Sequence, residues 1–200
     1  YYAPGTCALA SHITLEEAGA PYQAVKLDFR NNEQRSDAYL KINSKGRVPA
    51  LATPDGVLSE TPAILAFIAQ KFPQAGLAPT DPYRFAVAQS FNSYLCSTVH
   101  VSHAHRMRGH RWASEESSFE DMRRKVPQSV GDAFALIENG MLRGPWVMGE
   151  AYTIADTYLF TVALWLDGDK VDVSKIPRVM EHRARMAALP NVQRALAEEA

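Results

Sequence analysis

A change of pattern at residues 73–82 constrains the fold more than any other feature of the sequence. Before this segment, strand signals alternate with helix signals, and after it only helical periodicity is found. The segment itself, PQAGLAPTDP, is rich in proline and has no periodic apolar pattern, which is typical of a linker. The sequence therefore predicts two domains of different class. They are predicted at residues 1–73 and 83–200, with the linker at 74–82.

The first domain has the pattern of an α/β unit. Alternation of Val25, Leu27 and Phe29 with polar neighbours predicts a strand, and Pro54-Asp55-Gly56 predicts the turn of a hairpin. Thr61 is predicted to be the N-cap of the last helix of this domain, with Pro62 at the first helical position. The predicted order is strand, helix, strand, helix, strand, strand and helix, at residues 1–3, 7–18, 25–29, 36–40, 48–52, 57–59 and 61–72.

The second domain is predicted to be entirely helical. Its first helix is predicted to run from residue 83 to about residue 112. Thr153-Ile154-Ala155-Asp156 has the form of a capping box and precedes a nearly continuous apolar stretch, so the helix from here to Leu166 should lie at the centre of the domain. Further helices are predicted at 130–141, 176–189 and 192–200.

Composition excludes several functional classes. There are 21 Lys+Arg and 22 Asp+Glu, which gives a net charge of -1 and no overall electrostatic reason to bind nucleic acid or an anionic membrane. The longest apolar run, Tyr158 to Leu166, is far shorter than the roughly 20 residues of a membrane span. Two cysteines do not form a disulfide framework. We therefore expect a cytoplasmic protein with no nucleic-acid or membrane partner.

Four motifs occur in order along the chain: YAPGTCALA at 2–10, VPAL at 48–51, SET at 59–61 and GEAYTIAD at 149–156. Together with the two-domain pattern, they resemble the glutathione transferase superfamily. The first motif, with a cysteine where other classes carry tyrosine or serine, resembles the bacterial beta class. The resemblance implies a thioredoxin-like α/β N-terminal domain, an all-α helical-bundle C-terminal domain, glutathione as cosubstrate and no metal.

The resemblance assigns parts of glutathione to two of these motifs. A helix N-terminus after Glu60 and Thr61 suits the α-carboxylate of the γ-glutamyl group, while Glu60 can pair with the ammonium and Thr61 adds a hydroxyl. Val48–Pro49 resembles the cis-proline turn that presents backbone groups to the cysteinyl part. The alternative interpretations are that Thr61 only caps the helix and that Pro49 is an ordinary trans proline at a strand edge.

Cys7 lies at the start of a predicted helix, where the helix dipole and unpaired N–H groups favour a thiolate. A thiolate here can attack a glutathione mixed disulfide or hydrogen-bond the glutathione sulfur. The alternative is a buried, inert cysteine. Thr6 and Tyr2 are alternative hydroxyl donors to the sulfur, whereas Cys96 is predicted to act as a small apolar residue.

Beta-class enzymes place a histidine of the first long helix of the second domain against the glutathione sulfur. In this sequence His100 occupies the matching place, and His103, one turn further on, is the alternative. The family also has an asparagine two turns before this histidine. That position falls on Ser93, and Asn92 is one position off.

A second departure concerns the lysine that the family provides for the glycine carboxylate of glutathione. Its position falls on Asn31-Asn32, where no cation is present, and Arg30, Arg35, Lys45 and Arg47 are the candidate replacements. We predict Cys7 and His100 as catalytic residues. The predicted glutathione-binding residues are Cys7, Asn32, Lys45, Val48, Pro49, Glu60, Thr61 and His100.

Four histidines, at 100, 103, 105 and 110, suggest a metal site, but His105 lies on the opposite helix face and no carboxylate ligand lies nearby in the sequence. We therefore predict no metal. The basic stretch at 105–112 is interpreted as a solvated helix end at the substrate cleft. The predicted walls of the electrophile pocket are Tyr2, His103, Arg106, Trp112 and Tyr158.

These residues predict a detoxification enzyme that conjugates glutathione to electrophiles, with thiol-disulfide exchange through Cys7 as a second chemistry. The alternative is a non-catalytic binding or regulatory module of the same fold, which the departures at Asn32 and Ser93 favour. The resemblance also implies a homodimer. Its predicted interface contains the helix at 61–72 and the long helix from Pro82.

Overall fold

The computed structural model describes all residues from 1 to 200, and they form two compact units. The first unit contains residues 1–89 and 187–200, and the second contains 90–186. This division differs from the predicted domains, because residues 187–200 belong to the first unit. The reason is the last helix, α9 (Pro190–Glu199), which packs against the first helix, α1 (Ala8–Glu17).

The sheet of the first unit is an antiparallel hairpin of β1 (Ala50–Thr53) and β2 (Gly56–Ser59), as predicted. Ala50 pairs with Ser59, and Thr53 pairs with Gly56. The turn is closed locally, because the Thr53 hydroxyl donates to the Gly56 carbonyl at 2.8 Å and accepts from the Asp55 N–H at 3.2 Å.

The two other predicted strands, at 1–3 and 25–29, are not regular strands. They are reduced to one parallel bridge between Tyr2 and Lys26, in which Tyr2 N donates to Val25 O and Leu27 N donates to Tyr2 O. The N–H of Ala50 donates to the carbonyl of Tyr1 at 3.3 Å. The first segment therefore still lies between the second segment and β1, as a thioredoxin-like order requires.

Helices pack on this sheet through a largely apolar core. α1 begins at Ala8, where the Thr6 hydroxyl accepts the Ala8 N–H, and the chain leaves the helix through Gly19 at φ 60°. Ile13 of α1 and Ile64 and Leu65 of α3 (Thr61–Lys71) are completely buried. Besides α1 and α9, the helices of this unit are α2 (Asp37–Leu40), α3 (Thr61–Lys71) and the beginning of α4 (Pro82–Tyr94).

The predicted single helix from residue 83 to 112 is wrong. α4 is followed by a π-helical turn at Leu95–Val99, and α5 (His100–Ala104) then ends the helix eight residues early. Beyond it lies a 3₁₀ turn at Gly109–Arg111, where a Cβ on Gly109 would come within 2.9 Å of Phe119. Gly109 therefore permits the close approach of Phe119, which lies on the next helix. The following helices are α6 (Glu116–Leu136), which continues into a π-helical turn at Ile137–Met141, α7 (Ile154–Ala163) and α8 (Pro177–Ala187).

The predicted capping box at the start of α7 is confirmed, and every residue of this helix is buried. Asp156 is completely buried, and its carboxylate accepts the N–H groups of Val147 and Thr153 at 2.7 Å and a bond from His182 at 2.9 Å. A buried charge needs such partners, because an unpaired one costs several kcal/mol. None of the helices has the length and apolar character needed to cross a membrane.

Candidate active site

Cys7 is the N-cap residue of α1 and is 7% exposed. Its thiol donates to the carbonyl of Val48 at 3.6 Å. The neighbouring Thr6 hydroxyl is used locally, since it donates to Ala3 O at 2.7 Å and accepts from Ala8 N at 3.3 Å. The structure thus joins Cys7 to the loop of Val48 and gives the Thr6 hydroxyl a role in starting the helix.

The loop that carries Val48 has the predicted geometry, because the Val48–Pro49 peptide bond is cis. The preceding carbonyl, that of Arg47, accepts hydrogen bonds from the Tyr39 hydroxyl and the Asn43 side-chain amide, both at 2.7 Å. These two side chains come from α2 and from the turn after it, and Tyr39 is almost completely buried. A packed polar contact therefore fixes the loop opposite Cys7.

The start of α3 differs from the prediction in one respect. Glu60, not Thr61, is the N-cap residue, and Thr61 is already the first helical residue. No side chain caps this N-terminus, so its first N–H groups remain for a ligand or solvent. Glu60 also has φ 74° and ψ 118°, a backbone conformation rare for a residue with a side chain. Such strain persists mainly at functional sites.

Lys45 and Glu60 contact each other, with 2.5 Å between Nζ and Oε1. Both side chains are about half exposed, at 45% and 55%. The turn that carries Lys45 is closed by Gly46 at φ 59°. Arg35 packs against Gly46 so closely that a Cβ at this position would lie 2.8 Å from the Arg35 guanidinium. Asn32 lies on the surface in a left-handed conformation with φ 56°. Of the predicted binding residues, Lys45 is therefore the one that reaches Glu60.

In the second unit, the π-helical turn changes which residue shares a face with His100. Such a turn takes up one more residue than an α-helical turn. The eight positions from Asn92 to His100 thus span about two turns of helix, and Asn92 takes the place that the sequence assigned to Ser93. Burial agrees, because Ser93 is exposed and Asn92 is completely buried. Both polar atoms of the Asn92 side chain lack a protein partner.

His100 and His103 of α5 both contact Trp165. The His100 ring meets Trp165 edge-on at 5.0 Å, and the His103 ring stacks on it at 4.2 Å with 21° between the planes. His103 Nδ1 lies 2.7 Å from one carboxylate oxygen of Asp169 and 3.0 Å from the other. Arg106 also contacts Asp169, at 3.4 Å. Sequence reasoning missed Asp169, since nothing in the sequence connects residues 66 positions apart.

The predicted electrophile pocket needs one correction. Tyr158 has no exposed surface, because it lies on the buried central helix α7. The hydroxyl of Tyr2 donates to the Glu198 carbonyl at 3.2 Å, which ties it to α9 within the first unit. Trp112 is 46% exposed and meets His105 edge-on at 4.5 Å. Only His103 and Arg106 of the predicted set are joined to each other, through Asp169.

The fold and these residues define a class of protein. The first unit is thioredoxin-like and has a cysteine at a helix N-terminus beside a cis-proline loop, and the second unit is entirely helical. This combination is typical of two-domain proteins that bind thiols. Family comparison agrees: residues 1–70 match the model "Glutathione S-transferase, N-terminal domain" and residues 102–190 match "Glutathione S-transferase, C-terminal domain". The chain therefore belongs to the glutathione S-transferase family.

Individual relatives cover nearly the whole chain. A glutathione transferase homolog from Sulfitobacter, solved with bound glutathione, is 47% identical over 99% of this chain and 96% of its own, with a TM-score of 0.96. The beta class glutathione S-transferase of Sphingomonas chungbukensis is 31% identical over 100% of this chain and 97% of its own, with a TM-score of 0.86. Glutathione S-transferase GstA of Escherichia coli O157:H7 is 31% identical over 100% of this chain and 97% of its own.

Proposed function

We propose that this protein is a glutathione transferase that joins the glutathione sulfur to electrophilic substrates. The observation that carries the proposal is the contact between Cys7, at the N-terminus of α1, and the Val48 carbonyl of the cis-proline loop. The uncapped start of α3 with Glu60 supplies the second anchor. These groups match the thiol and the γ-glutamyl end of glutathione.

Binding exchanges one ion pair for two. Glu60 leaves Lys45 and receives the ammonium of the γ-glutamyl group, while the N–H groups at the start of α3 receive the α-carboxylate. Lys45 is then available to the glycine carboxylate, as the replacement for the lysine missing near Asn32. The exchange costs little, because an exposed ion pair contributes only about 0–1 kcal/mol.

The bound thiol needs groups that favour its ionised form. Cys7 can donate its S–H hydrogen to the glutathione sulfur, and the dipole of α1 favours negative charge at the same place. The histidine role carried over from the beta class belongs to His100. In conjugation, the glutathione thiolate forms a bond to the electrophilic carbon, and either the leaving group departs with its bonding electron pair or the π electron pair of the substrate moves onto an electronegative atom.

Calorimetric titration with reduced glutathione near pH 7 tests the proposal. The parent protein should bind in the micromolar to low millimolar range, as about -4 to -8 kcal/mol of binding free energy. Glu60→Ala should weaken binding by at least about tenfold. Glu116→Ala is the matched control, because Glu116 is an exposed first-turn acid that also pairs with a cation, Arg123. Absence of binding by the parent protein would contradict the proposal.

Cys7→Ala separates the two chemistries. Conjugation of an aryl halide should persist at a reduced rate, because glutathione itself is the nucleophile. Reduction of a glutathione mixed disulfide should stop, because there Cys7 attacks the disulfide sulfur and releases the second thiol. If thiol-disulfide exchange activity survives the substitution, Cys7 is not its nucleophile.

The non-catalytic alternative loses part of its support. One of its two arguments was that a serine occupies the position of the family's asparagine. With the π-helical turn, Asn92 lies on the helix face expected for that asparagine.

We further propose that the enzyme is a cytoplasmic homodimer. Both cysteines are free thiols, in agreement with a reducing compartment. Sedimentation velocity measures the dimer directly, and a monomer at micromolar concentration would contradict it.

A further inference from the structure

One histidine and two carboxylates meet where α1 packs against α9, and all three belong to the first unit. His12 and Glu16 are four residues apart on one face of α1, and Glu198 lies on α9. The three donor atoms lie within 4.8 Å of one another. The sequence contains no signal for this cluster, because His12 and Glu198 are 186 positions apart.

These donors are of the kind that binds zinc. Imidazole nitrogen and carboxylate oxygen bind Zn²⁺ at about 2.0–2.2 Å, so neighbouring donors of a tetrahedral site are about 3.3 Å apart. His12 Nε2 is 2.9 Å from Glu198 Oε2, and the gap therefore has to open only slightly. Glu198 can move this far, since its side chain is 49% exposed. The charges also match, because two carboxylates balance one Zn²⁺.

The ring of His12 is held in the way that a zinc-bound histidine is held. His12 is 5% exposed, and its other ring nitrogen, Nδ1, lies 3.3 Å from Glu199 Oε1. Histidine ligands almost always donate their second N–H to such an outer carboxylate, which orients the ligating nitrogen. Zinc takes the place of a hydrogen on Nε2. The hydrogen-bonded cluster and the zinc site are thus two states of the same atoms.

Glu16 is oriented in a similar way, because its two oxygens have different partners. Oε1 accepts from the Tyr22 hydroxyl at 2.5 Å, and Oε2 accepts from Arg194 Nε at 2.9 Å. The Tyr22 hydroxyl also lies 2.8 Å from His12 Nε2 and 3.1 Å from Glu198 Oε2. It therefore contacts all three donors and is within reach as a neutral fourth donor.

A small cavity borders the cluster. His12 and Tyr22 line it together with Tyr2 and Ser11, and its volume is about 60 Å³. A space of this size holds a few water molecules. The Ser11 hydroxyl, on a residue that is 6% exposed, has no partner in the protein. The cavity therefore offers both room and a polar partner for a water ligand of the metal.

The two other histidine–carboxylate pairs of the protein do not offer three donors. His182 and Asp156 are both completely buried, and His182 faces one carboxylate only. His103 likewise faces one carboxylate, that of Asp169. A metal site needs more ligands than such a pair provides. The cluster at His12 is therefore the best candidate.

We propose that His12, Glu16 and Glu198 form a zinc site that joins α1 to α9. Glu199 and Arg194 position two of the ligands. The proposal goes beyond the transferase function and does not depend on glutathione binding. Zinc suits a small set of donors that includes nitrogen, whereas Mg²⁺ and Ca²⁺ require about six or more oxygen ligands. Zinc should also stabilise the fold, because the unfolded chain does not hold these donors together.

Calorimetric titration of chelator-treated, dialysed protein with zinc chloride tests the site. The parent should bind one equivalent with a dissociation constant in the micromolar range or below. Glu199→Gln should weaken binding by about tenfold, and Glu198→Gln by at least about 100-fold, because a ligand matters more than its outer partner. Glu181→Gln, at an exposed acid of α8, removes the same charge and should bind as the parent does. Absence of binding by the parent, or equal binding by Glu198→Gln, would overturn the proposal.

Cobalt distinguishes this site from zinc held by a cysteine. Co²⁺ replaces zinc in such sites, and a thiolate ligand gives it a charge-transfer band in the near ultraviolet. The Co²⁺ form of the parent should have the visible bands of four-coordinate cobalt and no thiolate band. Loss of the visible bands is expected in Glu198→Gln. A thiolate band in the parent, or visible bands that survive in the variant, would place the metal elsewhere and contradict the proposal.

Thermal unfolding tests whether the metal joins the two helices. Zinc should raise the unfolding midpoint of the parent further as its concentration increases, and should leave that of Glu198→Gln unchanged. Magnesium chloride at the same concentrations should have no effect on either protein. A parent midpoint that does not respond to saturating zinc would contradict the proposed link between α1 and α9.

Discussion

His12 and His103 each contact carboxylates that are distant in the sequence, and they differ in how many ring nitrogens have a partner within the protein. His12 of α1 is 5% exposed, and both its nitrogens have partners: Nε2 faces Tyr22 and Glu198 at 2.8 and 2.9 Å, and Nδ1 faces Glu199 at 3.3 Å. His103 uses only Nδ1. His12, with both nitrogens satisfied and its ring buried, joins elements of the fold, whereas His103 has one open nitrogen on a side chain that is 20% exposed.

The largest expected effect is on stability, at His12. His12→Ala removes one link between α1 and α9 and leaves the buried Glu199 carboxylate, 5% exposed, without this partner. Breaking a buried pair by removing one member typically costs about 3 kcal/mol. Urea unfolding should show this loss in the free energy of unfolding.

His103→Ala is the comparison for this experiment, because its ring is partly exposed and the buried Asp169 carboxylate keeps Arg106 as a partner. We expect it to cost less than half as much. Equal losses for the two variants would remove the distinction between a buried histidine that joins helices and a partly exposed one.

Tyr22→Phe should give the next largest effect. The Tyr22 hydroxyl donates to Glu16 at 2.5 Å and also contacts His12 and Glu198, so it connects α1 with α9. Burial, together with the hydrogen bond to Glu16, raises the pKa of Tyr22, and the hydroxyl therefore stays protonated. We expect a loss of about 1–2 kcal/mol in urea unfolding. Tyr83→Phe is the control, since Tyr83 is 78% exposed; a similar loss there would contradict the assignment.

The network at His12 also predicts a dependence of stability on pH. Burial lowers the pKa of His12, but the hydrogen bonds that His12 donates to Glu199 and Glu198 outweigh burial and raise the pKa overall. A raised pKa in the folded state stabilises the protein fully below the unfolded value of about 6.5, and this contribution is lost as the pH rises through the folded value.

The parent protein should therefore lose more stability than His12→Gln between about pH 6 and pH 9. The groups facing His12 are Tyr2, Tyr22, Glu198 and Glu199, with Glu16 and Arg194 beyond them. The tyrosines named here have raised pKa values, so they do not titrate in this window. Urea unfolding at both pH values measures the effect, and parallel losses in parent and variant would contradict it.

The sequence was most informative where the site depends on local motifs. Cys7 at a helix N-terminus and the helix after Glu60 follow from a few adjacent residues, and the cis bond before Pro49 follows from the family resemblance of its motif. It was least informative where distant segments meet. The contact of α9 with α1 and the position of Asp169 beneath His103 depend on packing across more than sixty residues of chain, and periodicity carries no information about such contacts.

The smallest expected effect on stability is at Asn92, and it tests the π-helical turn. Asn92 is completely buried, and neither polar atom of its side chain has a protein partner, so the folded protein gains little from them. Asn92→Ala should therefore change the free energy of unfolding by less than about 1 kcal/mol, even though most buried substitutions cost more. If Asn92 holds the asparagine role that the beta-class resemblance assigns, the same variant should weaken glutathione binding by about tenfold, as loss of one hydrogen bond to a charged group does.

Ser93→Ala is the matched control for Asn92, because Ser93 is its exposed neighbour and the residue at which the sequence alone placed this role. Calorimetric titration should show no change in glutathione affinity for Ser93→Ala. A loss of affinity at Ser93 with none at Asn92 would mean that the extra residue of the π-helical turn does not bring Asn92 to the ligand. A large loss of stability at Asn92 without loss of affinity would make it a structural residue of the helix.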